Sequence, residues 1–286
     1  MFWNQFKTVI FLGVLSGLLF IMGYWIGGQN GIIFAFIFSL LINFITYFFS
    51  DKIVLKLYGA KLLDENRYSY VYDIVSELCA NARIPMPKLW LIETPMANAF
   101  ATGRNPDNAS VAVTTGILNV LDKDELRGVL AHELSHVKNR DILIATIAAT
   151  VAMAVSYLAD MIRWSFIFGG SDRDSKNKGG ALGAIFVAIL MPIAATLIQL
   201  AISRSREYLA DETGAKISHD PLALASALEK LQNGADKQKI DPASNAQAST
   251  ASLFIVYPFN ASSLFALFST HPPMDVRIAR LRSMAK

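Results

Sequence analysis

A single cysteine, Cys79, in 286 residues excludes an internal disulfide and every multi-cysteine zinc site, and fits a soluble part kept on the reducing side of a membrane. By itself Cys79 reads as a small buried apolar side chain. Histidine is also scarce, with four in the chain, so a metal site has few imidazoles to draw on. Charged residues make up 17%, against 53% hydrophobic residues and a mean hydropathy of +0.38. That balance is too apolar for an ordinary soluble domain and too charged for a purely intramembrane one. The net charge is +3, and the basic residues form no aromatic-interleaved stripe of the kind that follows phosphates, so no nucleic-acid partner is expected. No internal repeat is visible.

What is present is apolar runs of membrane length. Val9 to Ile26 follows Lys7 and ends at Gly27 to Gly31 without a small-x-small cleavage pattern, which predicts an uncleaved signal anchor. Ile32 to Phe49 carries no charge and stops at Asp51-Lys52, so residues 1–51 are expected to form a transmembrane hairpin. Ile142 to Ala159 and Ala181 to Ile202 predict a second hairpin over 142–202, although apolar helices packed inside a protein share this pattern. Lys7, Lys52, Lys56, Lys61, Lys138, Arg140, Arg204 and Arg206 fall on one side of the spans. Arg163, Arg173, Lys176 and Lys178 fall on the other. The excess predicts a cytoplasmic soluble domain built from 52–141 and 203–286, with the Gly169 to Gly180 connector across the membrane.

Within the soluble segments, Val71, Ile74, Val75 and Leu78 recur at helical spacing over Tyr70 to Ala82, until Pro85 and Pro87 end the helix. Leu89 to Ile92, Ala99 to Thr102 and Ser110 to Thr114 read as short strands of a small sheet. Asp122 with Glu125 forms a capping box that opens the next helix. Asp220-Pro221 opens another, Gln232 to Thr250 is polar enough to read as a loop, and a basic helix runs through Arg277, Arg280 and Arg282. The sequons at Asn108 and Asn260 have no use in a cytoplasmic domain.

The capped helix carries His132-Glu133-Leu134-Ser135-His136. Two imidazoles four residues apart lie on one helical face, where both can bind one tetrahedral zinc ion. Glu133 between them can take a proton from a water on the metal, as peptide hydrolysis requires. A catalytic zinc needs a third protein ligand. Glu207, 71 positions after His136, is the leading candidate, because two antiparallel spans would return the chain to the same face; His219 and His271 are its rivals. His271 could instead donate to the oxyanion of the tetrahedral intermediate. Asp211, one turn beyond Glu207, is placed to orient a ligand histidine through its second ring nitrogen. Asn98, Ala99, Phe100, Ala101 and Thr102 are expected to form an exposed edge strand that receives an extended peptide.

With Asn98-Ala99-Phe100-Ala101-Thr102-Gly103, His132 to Asp141, Arg206 to Asp211 and His271-Pro272-Pro273 in the same order, the whole chain resembles the bacterial HtpX family of membrane proteases. The resemblance implies a gluzincin-like metalloprotease domain with a small β-sheet in a mainly α membrane protein of about four transmembrane helices. It implies one zinc ion per chain held by His132, His136 and Glu207, with Glu133 catalytic. Asn139 and Arg206 lie in the shared motifs and join Asp211 and His271 as candidates for outer-sphere or transition-state roles. It also implies the cytoplasmic (inner) membrane, a place in the stress response, and damaged or misfolded membrane proteins as substrates. Two rivals stand beside it. A eukaryotic-type prenyl-protein protease would need more spans, and a zinc-stabilised scaffold without catalysis would leave Glu133 without a purpose.

Overall fold

The computed structural model describes residues 2–168, 192, 196, 204–237, 250–256 and 272–285. The expected fourth apolar run, the 169–180 connector, Leu264 to Phe268 and His271 fall outside these, save Pro192 and Thr196.

The helical stretch α1, Phe2–Leu57, doubles back at Gly28, whose φ of 55° is a left-handed value that glycine adopts without steric cost. Its two arms meet along their length. Asn43 Nδ2 donates to Ser16 Oγ at 2.8 Å, the rings of Phe20 and Phe36 lie 6.3 Å apart, and the backbones of Gly23 and Gly31 approach too closely for a Cβ on either. The arm from Gly28 to Leu57 is long and apolar enough to cross a membrane, and it leaves Ile33, Phe34, Ile37 and Leu41 more than half exposed. Such a face is costly in water and suits lipid. The apolar segment Phe6–Ile21 is shorter. Among the described residues no other single helix meets the membrane-length test, and with the fourth apolar run outside them the expected four spans are not confirmed.

The sheet is built from β1 (Lys61–Leu62), β2 (Lys88–Ile92), β3 (Ala99–Gly103) and β4 (Ala109–Thr114), in the order β1-β2-β4-β3. β2 and β4 are parallel, with Trp90 opposite Ala112, and β3 runs antiparallel to β4, with Ala101 opposite Val111. Alternation explains how both faces are buried. Leu89, Ala99, Ala101, Val111 and Val113 join the core formed with α2 (Ser69–Ala82) and α4 (Lys123–Lys138). Trp90, Phe100 and Ala112 face the other way, onto Val54 and Leu55 at the end of α1 and onto Phe254. Phe254 stands edge-on to Phe100 and to Tyr58, the favoured arrangement of aromatic pairs.

A short helix α3 (Thr115–Val120) leads into α4, which opens with the expected reciprocal box: Asp122 Oδ1 accepts from the amides of Asp124 and Glu125, and Glu125 Oε2 accepts from the Asp122 amide. At Asn139 and Arg140 the chain turns by 91° into α5 (Ile142–Phe168), with Arg140 left-handed at φ 58°. α5 then packs Ile144, Ile147, Val151 and Val155 on Phe11 and Leu15 of α1. After residue 203 come α6 (Arg204–Ser218), α7 (Pro221–Lys237) and α8 (Met274–Met284). α7 continues to Lys237, through the start of the segment expected to be a loop; its alanine- and leucine-rich apolar face packs on α4 and outweighs the polar composition of its last turns.

α6 lies against α4 because position 214 has no side chain. A Cβ there would sit 3.0 Å from both the amide nitrogen and the Cα of His132. Gly214→Val is therefore expected to force the two helices apart and to cost about 1–3 kcal/mol, the usual penalty of overpacking. Denaturant unfolding of the detergent-purified variant measures this, and unchanged stability would contradict so close a contact.

Candidate metal centre

His132 and His136 face the same way because they are one helical turn apart on α4, and Glu207 reaches them from α6 across the Gly214 contact. His132 Nε2 is 3.3 Å from His136 Nε2 and 3.8 Å from Glu207 Oε2, and His136 Nε2 is 3.5 Å from Glu207 Oε1. One ligand atom from each of the three lies within 4.8 Å of the others. Ligands about 2.0–2.1 Å from a tetrahedral zinc stand roughly 3.3–3.5 Å apart, so the cluster has the donor types and about the size that such an ion requires.

Two buried carboxylates stand behind the two imidazoles. Asp211 Oδ1 lies 2.9 Å from His132 Nδ1, and Asp141 Oδ2 lies 3.6 Å from His136 Nδ1. Each carboxylate has an arginine behind it. Arg277 of α8 donates from Nε and Nη2 to Asp211 at 2.8 and 2.7 Å, and Arg206 Nη1 stands 3.8 Å from Asp141 Oδ1. Arg206 thus faces Asp141, and its charge is also felt by Glu207. Neither Glu207 nor Asp211 belongs to a surface ion pair, since they are 5% and 3% exposed.

Burial and charge oppose one another in the titration of these groups. For Asp211, burial pushes the carboxyl up, but the Arg277 guanidinium overrides it and holds the group at about 2. For His136, burial works against protonation, yet Asp141, Glu207 and Glu133 around the ring raise it to about 9. His132 is lowered, chiefly by burial, despite Asp211. Glu133 is pushed up to about 8 by burial. Its Oε2 accepts a hydrogen bond from the Ala101 amide at 2.8 Å, which fixes the carboxyl beside the two imidazoles.

The expected substrate strand needs correcting. β3 is an edge strand and lies beside α4, but it is not exposed: Ala99, Phe100 and Thr102 are fully buried, and Ala101 is 7% exposed. Residues 250–256 lie along its free edge. The Ile255 amide donates to Ala99 O at 3.2 Å, and Asn98 Nδ2 donates to Val256 O at 2.7 Å. The free-edge groups that a peptide would need near Asn98 and Ala99 are therefore already bonded. Ala101, with Leu253 and Phe254, lines the cavity in front of Glu133 and His136.

Among the rival ligands, His219 is exposed in the left-handed turn between α6 and α7 and takes no part in the cluster. Asn139 ends α4, its amide donating to Ser135 O. The sequence reading passed over Asp141 and Arg277. Asp141 could have been suspected from its place just past the second histidine, as Asp211 was from its spacing to Glu207. Arg277 carried no signal, because the helix around it reads as an ordinary basic surface helix.

If Asp141 orients His136 as its position indicates, Asp141→Ala is expected to weaken metal binding by roughly ten- to a hundredfold, the usual size of an outer-sphere loss. Competition against a chelator checks this; an unchanged affinity would reduce Asp141 to a partner of Arg206.

Comparison with known proteins agrees with this geometry. Residues 65–285 match the model of peptidase family M48. The chain is 54% identical to a protease HtpX homolog of Persephonella marina over 283 residues, covering 99% of this chain and 98% of the relative. It is 54% identical to one of Syntrophobacter fumaroxidans, covering 98% and 99%, and 52% identical to one of Thermococcus sibiricus, covering 98% and 96%. The fold is shared with the crystal structure of S. mikatae Ste24p at a TM-score of 0.51 and 17% identity, over 98% of this chain and 66% of that longer one. With its donor triangle spanning α4 and α6 and these relatives matched along nearly its whole length, the chain belongs to the HtpX family of metallopeptidases within peptidase family M48.

Proposed function

We propose that this chain is a membrane-embedded zinc endopeptidase that cleaves cytoplasmic regions of misfolded membrane proteins in the inner membrane. The observation that carries the catalytic part is the position of Glu133: a buried carboxyl beside the His132, His136 and Glu207 triangle, with one oxygen fixed by the Ala101 amide. A structural metal site would give no role to that group.

Zinc held by His132, His136 and Glu207 would supply Lewis acidity and acidify a water molecule. The remaining work falls to the protein. Glu133 takes the proton of the attacking water and passes it to the departing amine nitrogen. Burial raises its carboxyl above the ordinary carboxylate range, which makes the ionised group a stronger base than a solvated glutamate. Asp211 and Asp141 hold the two imidazoles in orientation through their second nitrogens. Leu253 and Phe254 give the cavity an apolar wall that limits water. A peptide chain would approach along β3 at Ala101, where the strand opens into the cavity. An oxyanion donor from His271 remains part of this reading.

The membrane assignment draws on the Gly28–Leu57 arm and its exposed apolar face, and the orientation draws on the distribution of Lys and Arg. Misfolded membrane proteins as substrates follow from the family resemblance. Two outcomes are expected. Glu133→Gln retains zinc, measured by metal analysis, while casein hydrolysis falls by about 10²- to 10⁴-fold, the range for loss of a general base; turnover near wild type would favour the non-catalytic scaffold. A cysteine placed at Ser171, in a chain with Cys79 removed, reacts with a membrane-impermeant reagent from the periplasmic side, and labelling only from the cytoplasm would reverse the topology.

A further inference from the structure

Among the described residues Arg277 is the largest fully buried side chain, at 0% exposure, and it lies beside the candidate metal centre. A guanidinium stays charged at any physiological pH, so its burial requires partners. Two of its nitrogens are committed to the two oxygens of Asp211, a fork-to-fork pair at 2.8 and 2.7 Å. Nη2 is also 3.5 Å from both ring nitrogens of His132. Nη1 stands 3.8 Å from Glu207 Oε2 and has no hydrogen-bond partner among the described residues. The arginine therefore touches the orienting carboxylate, one imidazole and the third carboxylate of the same cluster. It reaches them from α8, a helix at the far end of the chain from α4.

We propose that Arg277 is a positioning residue of the metal centre, clamping Asp211 so that Asp211 holds His132 Nδ1 and leaves Nε2 turned to the ligand triangle. The proposal rests on the reading of His132, His136 and Glu207 as zinc ligands. A carboxylate with one fixed oxygen can still rotate about its Cβ–Cγ bond. A planar fork bonded to both oxygens removes that rotation, which a lysine, as a point charge, does not do. Docking of α8 thereby becomes a condition for an ordered His132, and the C-terminal helix becomes part of the site. The corresponding distances behind His136 are longer, 3.6 Å from Asp141 to the imidazole and 3.8 Å from Arg206 to Asp141.

The test uses the full-length chain in detergent, with zinc affinity measured by competition against a chelator and thermal unfolding measured with and without zinc. The variants are Arg277→Lys, Asp211→Asn and the double variant. Arg277→Lys keeps the charge and loses the fork, and is expected to weaken zinc binding by roughly ten- to a hundredfold. Because both residues act through one carboxylate, the double variant should bind no more weakly than Asp211→Asn alone. Metal-free Arg277→Lys should melt close to the metal-free wild type, the loss appearing in the rise of Tm that zinc produces. Wild-type zinc affinity in Arg277→Lys, additive losses in the double variant, or a metal-free Arg277→Lys that fails to fold would each overturn the proposal, the last by making Arg277 a pillar of the core. A wild-type chain that binds no zinc would instead overturn the zinc reading on which it rests.

Discussion

Burial of charge between α4, α6 and α8 is the constraint on which the rest of the structure depends. Two imidazoles and the carboxyls of Glu133, Glu207 and Asp211 sit where water has little access, and each such group is costly unless paired. The fold meets that cost with partners drawn from distant parts of the chain: an amide of β3, a carboxylate one turn from Glu207, and a guanidinium from the C-terminal helix. None of these partners would hold its place without the packing around it. Gly214 lets α6 approach α4 closely enough for Glu207 to reach the histidines, and the capping box fixes where α4 begins.

The same arrangement couples the site to the apolar helices. The 91° turn at Asn139 and Arg140 puts Asp141 behind His136 and sends α5 directly onto the first arm of α1. Thr146 on α5 is hydrogen-bonded to Thr102 on β3 at 2.9 Å, so the edge strand, the bend and the apolar helix form one contact region. A displacement of α5 against α1 would be felt at Asp141 within one turn. The site is therefore held from both sides, by the first arm of α1 through α5 and by the helices α6 and α8 through Asp211 and Arg277.

The covered edge of β3 follows from a different need. An edge strand with open amides is a hazard for unwanted pairing, and natural proteins protect such edges. Here residues 250–256 do so, anchored by Phe254 between Tyr58 and Phe100 and by the hydrogen bonds of Asn98. The stretch around Ala101 is buried too, but it lines the cavity. The covered stretch and the stretch that lines the cavity thus share one strand, divided near Ala99.

Local pattern sufficed for whatever depends on neighbours in the chain. The one-turn spacing of His132 and His136, the box of Asp122 with Glu125, the period-2 strands and the glycine turn at 28 are all set within a few residues, and they were legible for that reason. Glu207 and Asp211 could be nominated because their mutual spacing repeats the helical turn. Tertiary structure alone decided that Arg277 is buried, that Asp141 lies beside His136, that β3 is sheltered, and that α5 is packed against α1 rather than standing alone. Each of these depends on contacts between segments separated by tens to hundreds of residues. A basic residue on an amphipathic helix has the same local sequence whether its face meets water or a buried carboxylate, and only the docking of α8 on α6 and α7 separates the two.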